Sequence, residues 1–400
     1  MISKINKMGN KVISPGSERT NVVNYRNRIF SKFRLSILIG ILIFIVISGV
    51  DAHTCTGTIN EVCDCSNCSD CNSAISTAGS GSTIRLTADI SNHIGTCIDN
   101  PANFNNKIFS CQGHTIDGNY IGGIIYSISY GIYLNGRQNN TIKNCIVTEF
   151  STHGIYLEYS TNNTLTNNTA NLNHGIFGDV SGGGIYLSFS SNNTLTNNTA
   201  NTNGKYGISL SSSSNNNIIN NTANLNGWWG IYLYNSSNNT ITNNIANSNG
   251  GFGNGTGIYL SSSSNNNIIN NTANSHSDGI DLLDSTNNTL TKNTIYENKV
   301  VGIYSKNSTS TLIENRVCNN TQSDLSSSDW LLSSGDNNTC DNPDGWNDTG
   351  TTGCTYTCSY SPVPPALVPG LSDLGLLILI ILALILGLRK INGVVANKQC

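Results

Sequence analysis

The chain has 400 residues, 11% of them charged, and a formal net charge of −3. No basic patch interrupts its middle, which argues against nucleic-acid binding, since phosphates need clustered Lys and Arg. Asn, Ser, Thr and Gly supply the polarity that charge does not, a bias suited to an extracellular face.

In chain order, a basic leader (Lys4, Lys7, Lys11, Arg19, Arg26, Arg28, Lys32, Arg34) precedes an apolar run, Leu35 to Val50, and a small-residue site at Ala52. Basic, apolar, small is the order of a secretory signal, with an uncleaved signal-anchor as the rival. A Cys-rich stretch follows over 53–80, then repeats over 81–325 and a second Cys-rich stretch over 326–360. Pro362, Pro364, Pro365 and Pro369 stiffen a linker over 361–370. It leads to an apolar segment over 371–390 ending in Arg389-Lys390, read as a transmembrane helix or sorting signal, and to a tail over 391–400. Basic flanks stay in the cytoplasm. The expectation is therefore a membrane-anchored protein whose body lies at the cell surface.

Twelve of the thirteen cysteines fall in that body. An oxidising compartment favours disulfides, and the candidates are Cys55, Cys63, Cys65, Cys68, Cys71, Cys97, Cys111, Cys318, Cys340, Cys354 and Cys358. The run CDCSNCSDC over 63–71 has the compactness of a thiolate metal site, but the compartment favours a disulfide-stapled cap, and no metal or cofactor is expected. Asp341, Asp344 and Asp348 read as a solvated turn rather than a Ca²⁺ loop.

The repeats carry the fold. Gly-Ile recurs at Gly131, Gly154, Gly184, Gly207, Gly230, Gly257, Gly279 and Gly302, in steps of 23, 30, 23, 23, 27, 22 and 23 residues. The two long steps hold Gly-rich insertions, which read as loops. Period-two alternation, β-branched residues and Asn corners mark short strands, and no helical apolar stripe runs between residues 80 and 320. Units of this length form the coils of an all-β solenoid, a right-handed parallel β-helix of about nine to eleven coils.

Stacked, the units make columns. Ile132, Ile155, Ile185, Ile208, Ile231, Ile258, Ile280 and Ile303 form a core ladder, with Leu134, Leu157, Leu187, Leu210, Leu233, Leu260 and Leu282 two residues on. An Asn ladder runs through Asn168, Asn198, Asn221, Asn244, Asn271, Asn293 and Asn315, with Cys145 one unit earlier. These Asn are expected to sit in the left-handed region at a corner, amide bonded to amide.

The segment 154–170 (GIYLEYSTNNTLTNNTA), its later copies and KIFSCQGHTIDG over 107–118 resemble the NosD-like, PbH1-repeat right-handed β-helix family. The resemblance spans roughly residues 80 to 320 and implies the fold rather than an activity. Its founding relatives are associated with copper delivery. This chain has two Met, one of them Met1, and no Cys/Met/His copper motif. VPGLSDLG before the last apolar run resembles a C-terminal sorting signal, although INGVVANKQC continues past the basic pair.

Chemistry is sought on the outward positions. Tyr133, Tyr156, Tyr186, Tyr232, Tyr259 and Tyr304 form a stripe interrupted by Ser209 and Asp281. Aromatic faces at rung spacing suit a glycan chain. Asp278, Asp281 and Asp284 share one rung and are weak candidates for a carbohydrate-active enzyme. They are expected to cap turns or face solvent, as are the isolated His153, His174 and His276. The function read here is structural or glycan-binding at the cell envelope, with a polysaccharide hydrolase or lyase, or a copper-related accessory, as alternatives.

Overall fold

The computed structural model describes residues 54–56, 60–119, 128–175, 182–251, 253–328 and 330–358. Both apolar runs, the basic leader and the Pro-rich linker lie outside these residues. Among the described residues no helix is long and apolar enough to cross a membrane.

The architecture is an all-β parallel solenoid, with one helix, α1 (Cys68–Thr77), among the described residues. Successive coils lay their strands into a 13-stranded sheet and a 10-stranded sheet, with a third face of shorter strands and single bridges. Pairing is parallel throughout except where Thr54–Thr56 meets Val62–Cys65. Parallel pairing runs from Val62 to Tyr356, through stretches the sequence reading assigned to the caps.

Six-residue strands such as His153–Glu158 and Tyr206–Ser211 build the 10-stranded sheet. In them Ile155 pairs with Ile132 and Ile185, Ile208 with Ile185 and Ile231, and Leu210 with Leu187 and Leu233. The whole Ile and Leu ladder is buried. A third column (Ile142, Leu165, Leu195, Ile218, Ile241) comes from the facing sheet, and a fourth (Ala170, Ala200, Ala223, Ala246, Ala273) from the narrow face. Rungs ~4.8 Å apart place each side chain against its copies, the close packing that makes interiors intolerant of volume change. The close approach of the fourth column, whether its member is Ala, Val or Ile, explains the glycine before each Ile. A Cβ on Gly207 would lie 2.7 Å from the Ala223 Cβ and 2.7 Å from the Gly230 carbonyl oxygen.

The corners follow one rule. A residue in the left-handed region is followed by a polar residue that turns inward. Tyr159 precedes Ser160, Asn162 precedes Asn163, Asn167 precedes Asn168, and Leu172 precedes Asn173. The predicted Asn ladder is present, but its members are not the left-handed residues. Asn167, Asn197 and Asn220 take that conformation, and Asn168, Asn198 and Asn221 after them are buried. In Asn221 the side-chain oxygen accepts from the Asn198 backbone N–H (2.8 Å) and Nδ2 (3.0 Å), while its own Nδ2 donates to Leu195 (2.9 Å) and Asn244 (3.0 Å). Cys145 joins through its backbone N–H, which donates to Asn168 at 3.1 Å.

Three more polar ladders run beside it. Asn163, Asn193, Asn216, Asn239 and Asn266 form one, Asn173, Asn203, Asn226 and Asn249 another, and Ser160, Ser190, Ser213, Ser236 and Ser263 the last. In the Asn173 series a histidine takes one place. Asn249 Nδ2 lies 3.1 Å from His276 Nε2, and His276 Nδ1 lies 3.2 Å from Asn298 Oδ1. His276 is thus buried, not a solvated turn residue. Burial, set against the Asn298 contact, lowers its pKa to about 4. Protonation would also put a donor against the Asn249 amide.

Two of the amide ladders end on a carboxylate, an acceptor without protons. Asn338 donates to Asp348 from its backbone (2.8 Å) and from Nδ2 (2.6 Å), and Asn320 donates to Asp324 (3.2 and 2.9 Å). Asp348 is buried rather than solvated as the sequence suggested. Trp346 also donates to it, at 2.9 Å.

At the other end α1 lies against the first strands through Cys68, Cys71, Ala74 and Ile75. Asn67 caps its N-terminus. The buried Lys107 ammonium donates to the Ile75 carbonyl at 2.6 Å, placing a cation near the negative end of the helix. Disulfides join Cys55–Cys63, Cys65–Cys71, Cys68–Cys97, Cys111–Cys145 and Cys340–Cys354, and Cys318 and Cys358 are disulfide-bonded too. Such bonds belong to an oxidising, extracytoplasmic setting.

Candidate functional site

The outward face of the 10-stranded sheet is aromatic over much of its length. The predicted tyrosines pair in register, Tyr133 with Tyr156, Tyr156 with Tyr186, and Tyr232 with Tyr259. They are half-buried rather than fully exposed, because a second column stands beside them at the first strand position. That column, missed in the sequence, reads Tyr130, His153, Gly183, Tyr206, Trp229 and Thr256. The alternation breaks at the intervening glycine, so a residue two before the inward Ile faces out with the Tyr.

The rings stack in two groups. Tyr130, Tyr133, His153, Tyr156 and Tyr186 form one, with centroids 4.8–6.0 Å apart. Tyr206, Trp229, Tyr232 and Tyr259 form the other, at 4.7–5.5 Å. Between them each column lacks one ring, at Gly183 and at Ser209 on the next rung. The missing rings leave a cleft of about 390 Å³ lined by His153, Tyr186, Lys205, Tyr206, Ser209, Ser211, Tyr232 and Tyr234.

Electrostatics in the cleft are simple. Burial lowers the His153 pKa to about 3, and Nδ1 accepts from the Gly183 N–H at 3.0 Å. His153 is therefore a neutral ring stacked on Tyr130 and tilted against Tyr186, not a solvated turn residue. His174 is half-buried, and burial lowers its pKa as well. Tyr232 is pushed up to about 12, by burial first and Tyr259 second, so its hydroxyl stays protonated. Lys205 Nζ sits 4.9 Å from the Tyr206 ring centroid and 5.9 Å from that of Trp229, held over the face by cation–π attraction.

Beyond the second stack the columns continue as Asp278 and Asp281. Asp281 stands between Tyr259 and Tyr304 in register, and its Oδ1 is buried without a hydrogen-bond partner. Burial, then the like charge of Asp278, raise its pKa to about 7 against the pull of Lys306. The expectation of a solvent-facing carboxylate fails for Asp281. Asp278 is half-buried and accepts from the Val301 N–H at 3.1 Å. Asp284 stands apart at an exposed left-handed corner, accepting from Asn307 at 3.0 Å. The three do not converge as the shared rung suggested.

Two groups of possible metal ligands gather near the N-terminal end: Cys68, His93 and Cys97, and Cys55, Glu61 and Cys63. In each the two sulfurs are bonded to one another. Neither set fits a copper ion as a thiolate site.

Residues 108–255 match the family described as the right-handed β-helix region, and residues 184–357 match the family of the periplasmic copper-binding protein NosD. None of the curated proteins matches the chain. Among solved structures, a periplasmic alginate epimerase is similar at 14% identity and a TM-score of 0.47, over 70% of this chain and 85% of that one. The A-module of a mannuronan C-5 epimerase from Azotobacter vinelandii is similar at 17% identity and 0.46, over 70% and 80%. An alginate lyase from Paenibacillus sp. is similar at 16% identity and 0.49, over 64% and 94%.

Proposed function

We propose that this chain, a member of the NosD-like right-handed parallel β-helix proteins, is a glycan-binding protein of the cell exterior that seats a sugar ring in the cleft at Ser209. The observation that carries the reading is the paired interruption of an otherwise continuous aromatic array. Tyr186 and Tyr232 lie two rungs apart, ~9.6 Å at ~4.8 Å per rung. A pyranose stacked on both needs about 4–4.5 Å of contact distance on each side. The gap left by one missing ring is of that size. The protonated Tyr232 phenol and the Ser211 hydroxyl would offer hydrogen bonds to sugar hydroxyls, with Ser209 and His153 buried at the cleft floor.

Tyr186→Ser and Tyr232→Ser test this by retention on immobilised glycans. An aromatic contact is worth about 0.5–1.5 kcal/mol, so each change should weaken binding roughly three- to tenfold. Retention unchanged in both variants would discard the reading. In the same reading, the apolar segment over 371–390 holds the protein at the membrane, and the segment over 35–50 is a secretory signal or a second anchor. Release of the chain from membranes by alkaline carbonate would remove that part.

A second reading, a carbohydrate-active enzyme, is favoured by one observation, the raised pKa of Asp281 beside Asp278. Release of reducing or unsaturated ends that Asp281→Asn abolishes would favour it. Binding without turnover favours the first.

A further inference from the structure

The cleft has a chemical bias that shape alone does not account for. Among its lining residues Lys205 is the sole charged group, since His153 is neutral above about pH 3. Lys205 makes no ion pair among the described residues. Its stacking on Tyr206 and Trp229 holds the ammonium at one rim, with Ser211 and Tyr234 at the other end of the strands.

The acids on the same face do not cancel it. Glu158, hydrogen-bonded to the Tyr133 hydroxyl and to Asn135, lies two rungs from Ser211 through Ser188, ~9.6 Å at ~4.8 Å per rung. Asp281 lies three rungs from Ser209, through Tyr232 and Tyr259. That is ~14 Å at ~4.8 Å per rung, beyond a screening length of ~8 Å at physiological salt. A ring sandwiched face-on between Tyr186 and Tyr232 sends its equatorial substituents outward in its own plane, toward the rims.

Resting on the glycan reading above, we infer that the cleft selects an anionic pyranose, carboxylated or sulfated, with Lys205 as the partner of the acid group. Neutral sugars would meet the same rings and hydroxyls and leave the ammonium unpaired.

The test is calorimetric titration of the full chain at physiological salt with three probes: an oligogalacturonate, a sulfated galactan oligosaccharide without carboxylates, and a cello-oligosaccharide. At least one anionic probe should bind tenfold or more tightly than the neutral one, and which of them does identifies the acid group. Lys205→Met, which keeps an apolar stem over Tyr206, should remove that advantage, Lys205→Arg should restore it, and 0.5 M salt should narrow it. Unchanged thermal unfolding confirms that the variants fold. Equal affinity for charged and neutral probes, or an advantage that survives Lys205→Met, overturns this inference and leaves the glycan reading standing. No binding of any probe overturns both.

Discussion

The inward and outward sides of the same six-residue strands obey different rules. Inward, Ile is kept from Ile132 to Ile303 and Leu from Leu134 to Leu282, with Ser305 the departure at the end. Outward, the fourth position reads Tyr, Tyr, Tyr, Ser, Tyr, Tyr, Asp, Tyr over the same eight coils. An inward side chain touches its copies above and below at full packing density, so one change strains three coils. An outward side chain meets its neighbours on one side and the cleft or solvent on the other, so the stack tolerates Ser209 and Asp281 where the inward columns keep Ile. Departures on the outside therefore record what the surface does, and departures inside must be compensated by their neighbours.

The comparison can be broken most severely from inside. Asn221→Ala removes the acceptor for two buried donors of Asn198 and one donor to Asn244. Buried unsatisfied groups cost about 1–3 kcal/mol each. Denaturant unfolding should show a loss of roughly 2–4 kcal/mol, while Asn220→Gly, at the exposed left-handed corner beside it, should cost far less. Equal losses would mean the ladder does not hold the coils.

Next is the ladder's end. Burial alone would raise the Asp348 carboxyl, but hydrogen bonds from Asn338, Thr355 and Trp346 outweigh it and hold the pKa below the usual range. Asp348→Asn places an NH₂ against a donor of Asn338, for an expected loss of about 1–2 kcal/mol. The carboxylate's contribution is present above the ordinary Asp pKa of 3.8 and fades as pH falls through the lower folded value.

His276 sharpens the comparison through pH. Folded, it stays neutral down to about pH 4, whereas in an unfolded chain it protonates near 6.5. Between those values the unfolded state binds more protons, so stability falls as pH drops. His276→Asn restores the amide ladder and should flatten the thermal-unfolding slope between pH 6.5 and 4, leaving a slope to which His153 contributes and which Asp281 opposes. A slope identical to wild type would show that the ring is not held neutral.

The outer face offers the same test with the opposite sign. Asp281 titrates near 7 when folded, against 3.8. Its contribution is full below 3.8 and is lost as pH rises through 7. Asp281→Asn should raise the melting temperature at pH 8 and leave it unchanged at pH 3.5. A fall at pH 8 would mean the ionised carboxylate is well satisfied after all.

Much of the solenoid is readable in the sequence because Gly-Ile and the Ile/Leu columns state the period and the inward face outright. The Ser ladder and two of the Asn ladders are hidden, since polar letters read as surface. Their signal was nevertheless present: Asn163, Asn168 and Asn173 stand five apart, and Asn193, Asn198 and Asn203 repeat the spacing. Extending that register places His276 in a buried column. On the outer face the Tyr stripe and its break at Ser209 were visible. The partner column was not, because the glycine that makes room for Ala223 also breaks the alternation that a reader counts by. The burial of Asp281 depends on rings from adjacent coils and has no local signature.

Ser209→Tyr is the most direct test of the central claim, that the outward gap binds while the inward repeat only stabilises. The added ring completes the stack between Tyr186 and Tyr232, so the melting temperature should hold or rise while affinity for the anionic probe falls at least tenfold. Undiminished binding by a folded Ser209→Tyr protein would contradict the account.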